Sequence, residues 1–361
     1  MKKTIFLAFL MVCGFVSQAM AQSSILATLH HNGQIKTFYG TNAFIEASSA
    51  AADGDVITLS SGTFNAPVDT ITKLITVRGA GMELDTLNNV EPTIINGNIV
   101  LNTPETSSSK LIFEALDLSD SIFYASTLKS PQFIKCRMDF VRTRNNGRMI
   151  NAQFLHCIIS ESIRLSVNSS ATLVNSYVSY PYSVDSKTSN FEFQNCVLYM
   201  TQPGYIESSV IRNSIIVHTY GGPSGTDKYY SLSPSTTAYN CVGVWTGQSG
   251  STNFGSSYLF QFQTNTTNTG LKISYSANTS VFKNWDFHYD RLENFANTRL
   301  ELADSFKSKY LGSDGTEVGI YGGKLPFDPL STNPRITKCE VDAKTTADGK
   351  LSVKVEVNGQ K

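Results

Sequence analysis

One short pattern recurs through the middle of the chain: apolar, any residue, polar, Cys or Ser, any residue, apolar. It runs from Phe133 to Met138 around Cys136, from Phe154 to Ile159 around Cys157, and from Leu173 to Val178 around Ser176. It continues from Phe193 to Leu198 around Cys196, from Ile211 to Ile216 around Ser214 and, more loosely, from Ala238 to Gly243 around Cys241. The Cys/Ser column is spaced 21, 19, 20, 18 and 27. Phe113 to Leu118 is a weaker earlier copy, and apolar runs at Ile94–Ile95 and Leu74–Val77 keep the period. A period of roughly 20 residues, built from short β-branched runs and small turn residues, means a solenoid of stacked coils. The dense LxxLxL signature of leucine-rich repeats is missing, and helical repeats need longer periods. A coil of this length holds three short strands with turns, so the predicted fold is all-β: a parallel β-helix.

The residue before the Cys/Ser position is Asn175, Asn195, Asn213 and Asn240 in four coils. Asn tolerates left-handed turns, and its amide both donates and accepts. These residues are expected to form a structural ladder, each bonding along the stack. His156 falls in the same column, where a structural role is expected. The column cysteines read as small buried hydrophobes. Cys136, Cys157, Cys196 and Cys241 belong to that column, which leaves Cys339 as the odd one once Cys13 is removed with a leader. No spacing fits a zinc site, and no metal is expected.

The ends are read separately. Leu26 to His31 and Gln34 to Tyr39 flank Asn32-Gly33, a hairpin signal. Asn42 precedes a short helix over Ala43 to Ala52, which closes at Asp53-Gly54 and would cap the open end of the solenoid. After Pro326 and Asp328-Pro329, two strand-like runs, Arg335 to Val341 and Lys350 to Val357, flank Asp348-Gly349. Two strands cannot stand alone, so this appendage is expected to dock on the solenoid or to serve an assembly contact. The predicted organisation is a signal segment at 1–21, a capped β-helix at 22–325 and a strand appendage at 326–361.

The run Gly54 to Leu59, then Gly62-Thr63-Phe64 and Leu74 to Gly79, resembles the opening of pectin-lyase-like β-helix proteins. The Asn-Cys and Asn-Ser coils are similar to that superfamily's repeats. Gly312 to Gly323 resembles the closing motif of secreted β-helix proteins from Bacteroidetes-type bacteria. The resemblance implies a right-handed helix. It does not choose among the superfamily's lyases, hydrolases and non-catalytic surface proteins.

Lys2 and Lys3, the apolar run Ile5 to Val16 and the small-x-small site Ala19 to Ala21 read as a secretory signal. The chain is therefore expected to be exported, to the periplasm, the outer surface or beyond. No later apolar run reaches the length of a membrane span, so no transmembrane segment is expected. Lys+Arg and Asp+Glu are both 29, which argues against a nucleic-acid partner. Without Lys2 and Lys3 the balance is 27 against 29, a net charge of −2.

The residues that could carry chemistry are few. Hydrolases of this superfamily cluster aspartates, and no Asp-Asp pair lies in the coils. Arg142, Arg144 and Arg148 cluster in sequence, and Arg164 lies 20 residues after Arg144, so those two are expected to share a column. Arginines of this kind suit a carboxylated glycan through paired hydrogen bonds. Tyr180, His218 and Trp245 lie five positions past the ladder, beside Phe140 and Met200, and with Tyr182 and Tyr220 could form an aromatic platform for sugar rings. Two positions past the ladder, Ile158, Tyr177, Val197, Ile215 and Val242 form an outward apolar stripe. Such a stripe marks a covered surface. The cover is expected to be a loop of the chain or the C-terminal strands, with a partner protein as the alternative. The reading preferred at this level is a non-catalytic glycan-binding or surface-assembly protein without a cofactor. The alternatives are a polysaccharide lyase on a uronate glycan, with Arg144 or Arg164 central and Ca²⁺ as its only conceivable ion, and a structural adhesin-like repeat.

Overall fold

A computed structural model describes residues 25–103, 109–183, 188–200, 206, 208–218, 236–245, 271–274, 281–283, 299–308, 310–331, 335–341, 349–350 and 352–358. The expected signal segment and Tyr220 lie outside these residues. The chain forms stacked parallel coils of about 20 residues, a β-solenoid of about 7 turns.

Each coil is built from up to three strand positions. The first row runs through Val56–Leu59, Thr76–Arg78, the start of Ile112–Tyr124, the start of Gln132–Thr143, Ala152–Leu155, Ser170–Val174, Asn190–Gln194, Val210–Arg212 and Thr237–Tyr239. Its inward Phe113, Phe133 and Phe154 stack at 5.7 and 4.9 Å. Offset ring stacking of this kind adds to the burial of the rings themselves.

A corner follows, and every residue at it is left-handed: Ala115, Lys135, His156, Asn175, Asn195, Asn213 and Asn240 have φ between 46° and 57°. A left-handed residue costs roughly 1–2 kcal/mol unless it is Gly or a short polar residue such as Asn, which explains the Asn preference. The next residue turns inward and is buried: Cys136, Cys157, Ser176, Cys196, Ser214 and Cys241. These positions are more than apolar filler. Their Sγ and Oγ atoms reach backbone carbonyls of their own and the preceding coil, as in Cys157 to Phe133 O (3.2 Å) and Ser176 to Val174 O (2.8 Å). The Ser176 and Ser214 hydroxyls also accept from the backbone N–H groups of Cys157 and Cys196 in the preceding coils. Burial pushes the thiols of Cys157, Cys196 and Cys241 up to about 12. They are structural and chemically inert.

The second row starts after the corner and carries the stripe Ile158, Tyr177, Val197, Ile215 and Val242 in one register. All five are buried in a core of their own, separate from the solenoid interior. What covers them are residues 281–283, 299–308 and 310–331 of the same chain, a strap that packs through Val281, Phe282, Leu300, Leu302, Phe306, Tyr310, Val318, Ile320 and Phe327. The stripe is thus closed to a partner protein, and the cover is a strap of the chain rather than the C-terminal strands.

The strap runs back along the left-handed corner, and this overturns the expected ladder chemistry. The amides of Asn175 and Asn213 bond to the strap rather than along the stack. Asn175 Nδ2 donates to the carbonyls of Ile320 and Gly322, both at 2.7 Å. Asn213 Oδ1 accepts from the Ser313 N–H at 3.0 Å. The Asn195 amide is buried beside Gly322 and Gly323. A Cβ on Gly322 would come within 2.6 Å of Asn195 Nδ2 and 1.8 Å of Glu317 O, so only glycine fits. Farther along, His156 Nδ1 accepts from the Asp328 N–H at 3.3 Å. The Lys135 ammonium donates to Asp328 (2.9 Å) and to Leu330 O (2.7 Å). Burial, reinforced by Lys135, pushes the His156 pKa down to about 4. Lys135, His156, Asn175 and Asn213 are therefore docking posts for the strap. The strap continues to the buried Ser331, past the boundary expected at 325/326.

At the other end, Leu26–His31 pairs with both Gln34–Tyr39 and Val56–Leu59. The helix Ala43–Ala50 buries Ala43, Phe44 and Ala47 beneath it. The strands Arg335–Val341 and Val353–Asn358 form a separate antiparallel pair.

Candidate functional site

Among the described residues, nothing covers the outward face of the third row as the strap covers the second. The third row is built from Ile99–Leu101, the ends of Ile112–Tyr124 and Gln132–Thr143, Ile158–Leu165 and Pro181–Ser183. A register shift separates it from the second row: Met138 pairs with Ile159, but Phe140 pairs with Ser162 and Val141 with Ile163. This is one extra residue, a β-bulge, which re-aims the side chains beyond it. Inward positions are Ile122, Val141 and Ile163, all buried. The residues that follow them therefore face outward. Arg142 stands beside Arg164, and Arg164 pairs in register with Tyr182.

The bulge corrects one expectation. Arg164 shares a column with Arg142 and not with Arg144. Arg144 lies beyond, exposed at the turn that closes with Gly147 N–H to Arg144 O. A Cβ on Gly147 would sit 2.2 Å from Tyr124 O, so the turn needs glycine to pack on the coil below. Arg148 enters the next short strand and donates to Thr127 Oγ1 from Nε (3.2 Å) and an Nη (3.1 Å). It is occupied there, away from the arginine pair.

Four of the expected residues come together. The Arg142 Cζ lies 3.5 Å from the centroid of the Phe140 ring, and the Arg164 Cζ lies 5.0 Å from that of Tyr182. The Tyr180 and Tyr182 rings stack at 6.3 Å with 16° between planes. Cation–π stacking of this kind holds a guanidinium flat and leaves its N–H edge free. Among the described residues, neither Arg142 nor Arg164 has a carboxylate within ion-pair distance. Partial burial and then the Arg164 charge lower the Arg142 pKa, with Glu161 opposing. Two like charges are thus held together without a counter-charge in contact. The strand is anchored from below: Tyr124 donates to Arg164 O (2.5 Å) and accepts from Ser166 N–H (3.2 Å). Burial pushes the Tyr124 phenol up to about 12, so it remains a donor.

His218 and Trp245 end the second-row strands Ile215–His218 and Val242–Trp245. They pair in register with each other and with Met200, which is buried in the solenoid core. The side chains of His218 and Trp245 lie outside the described residues.

A second polar group lies where the second row begins, and sequence reasoning missed it. Asp117 pairs in register with Arg137, at the head of the apolar stripe. Burial raises the pKa of Asp117 and of Glu83, with Arg137 lowering both. Asp139 acts on Asp117 from the next coil and accepts from Ser160 at 2.6 Å. Arg299 and Tyr321 of the strap complete the group, the Tyr321 hydroxyl donating to Arg299 O at 2.6 Å. Glu83 lies outside the repeats, and Asp117 and Asp139 are a full coil apart, so no local motif announced them. In this group burial opposes ionisation of two carboxyls that lie near an arginine. Among the described residues no set of three His, Cys, Asp or Glu side chains is arranged to hold a metal ion. No described helix is long and apolar enough to cross a membrane.

No protein-family model, no curated protein and no solved structure matches this chain.

Proposed function

We propose that this chain is an exported, non-catalytic glycan-binding protein whose β-helix presents the third-row face to an acidic polysaccharide. The observation that carries the reading is the pair Arg142 and Arg164, adjacent across two coils, stacked on aromatic rings and, among the described residues, without an ion pair. Unpaired guanidinium edges suit carboxylate or sulfate groups. The stacked Tyr180 and Tyr182 offer apolar ring surface beside them. Neutral glycans would engage the rings alone and bind more weakly.

A glycan array with the intact protein tests this. Binding concentrated on uronate or sulfated glycans, and lost in the Arg142→Ala/Arg164→Ala variant, is the expected result. Binding unchanged by that variant removes the reading.

The raised carboxyls of Glu83 and Asp117 favour one alternative, acid–base catalysis on a uronate glycan, since shifted titrations cluster at catalytic sites. Ultraviolet absorbance of unsaturated product, with and without Ca²⁺, separates the two. A flat trace across a uronate panel is expected.

A further inference from the structure

We infer that the strand Val353–Asn358 is a self-association edge, pairing antiparallel with the same strand of a second copy of this chain about a two-fold axis at Val355. Within the appendage its partner is Arg335–Val341, with Val353 opposite Val341, Val355 opposite Cys339 and Val357 opposite Ile336. The positions between them pair Lys354 with Glu340 and Glu356 with Lys338. One face of the hairpin is therefore apolar by register, and the other carries opposite charges. Val353, Val355 and Val357 are 54%, 47% and 59% exposed, so the solenoid does not cover them. A two-stranded hairpin in water is marginal without further strands or a cover.

The order Val353-Lys354-Val355-Glu356-Val357 selects the partner. Read backwards it is the same, except that Lys and Glu change places. Antiparallel pairing about Val355 puts Lys354 opposite the other copy's Glu356, and Val353 opposite the other copy's Val357. Opposed charges and β-branched pairs both stabilise such a ladder. In-register parallel pairing would set Lys on Lys and Glu on Glu. The two edges of the hairpin also differ. Arg335–Val341 carries a register shift between Ile336 and Lys338, the device that blunts an edge. Val353–Asn358 has none, and among the described residues it pairs with Arg335–Val341 alone. The contact is isologous and closes at two copies. Its area is small, so the dimer is concentration-dependent.

Light scattering on the intact protein, across a concentration series, tests this. A monomer–dimer equilibrium is expected, weakened by roughly tenfold or more in Val355→Asp, which sets like charges across the axis. Circular dichroism of the variant should be unchanged, because the coils do not depend on the hairpin. In a Cys339→Ser background, Val355→Cys oxidised with glutathione disulfide should give a covalent dimer, each new disulfide forming as glutathione is reduced. Val353→Cys alone should not, because its opposite position is Val357. A monomer at every concentration overturns the inference. So does a dimer that Val355→Asp leaves intact, or one that crosslinks equally well through position 353.

Discussion

Two outward-facing rows of the same coils meet opposite fates. The second row presents Ile158, Tyr177, Val197, Ile215 and Val242, and the strap buries all five. The third row presents Arg142, Arg164, Tyr180 and Tyr182, and nothing among the described residues closes over it as the strap closes over the second row. Both rows carry large side chains. What separates them is charge. An apolar column gains by being covered, and a strap of the chain's own residues is the nearest cover. A guanidinium pair would lose its hydration under such a cover without gaining a partner. The comparison teaches that in a solenoid of low charge, cover follows the apolar column, while the arginine column stays uncovered among the described residues.

The largest expected effect breaks the covered side. Phe282 is fully buried in the strap, and Phe282→Ala should cost about 3–5 kcal/mol of strap packing. The strap should become sensitive to proteolysis while the coil spectrum persists. Loss of the whole fold in one step would mean that strap and coils are a single cooperative unit.

Next come the docking posts. Asn175→Ala removes both bonds to the strap and places Ala at φ 46°, for an expected loss of about 2–3 kcal/mol in denaturant unfolding. Asn175→Gly keeps the backbone angle accessible and should lose about half of that, which isolates the amide's share.

A smaller effect is set by pH. The folded state holds His156 with its pKa near 4, against an ordinary 6.5. As pH falls through 6.5 the unfolded chain binds a proton that the folded chain refuses. Stability should therefore be complete above about 6.5 and fall steadily toward 4. His156→Asn, the residue the other coils use, should flatten that part of the pH profile. A profile identical to that of the parent would show that His156 does not titrate as the geometry requires.

The smallest stability effects belong inside the column and on the open face. Cys196→Ser should stay within about 1 kcal/mol of the parent, since Ser already fills this position at 176 and 214 and makes the same carbonyl bonds. Arg164→Ala should change stability by less than about 0.5 kcal/mol, because Arg164 is exposed and, among the described residues, without an ion pair.

The coils were legible because their signal is local and repeated. Six copies of one pattern fix which residues turn inward, and the left-handed Asn corner follows from Asn chemistry alone. The strap was not legible, because its bonds join residues as far apart as Asn175 and Gly322, and its own sequence has no period. Only the existence of a cover could be read, from the apolar stripe. The arginine pair was half legible. Counting 20 residues pointed to Arg144, but these coils are offset by 21 residues and the bulge after Met138 adds one more, which makes Arg142 the neighbour of Arg164. A bulge of one residue has no signature in an isolated sequence. Glu83, Asp117 and Asp139 were invisible for the same kind of reason, since three separate segments bring them together.

The most direct test of the open face is calorimetric titration of an acidic oligosaccharide into the parent and into Arg142→Ala/Arg164→Ala, with thermal unfolding measured on both. The account predicts binding to the parent, at least roughly tenfold weaker binding to the variant, and coincident unfolding curves. Equal affinity for the two proteins, with the fold intact in both, would contradict it.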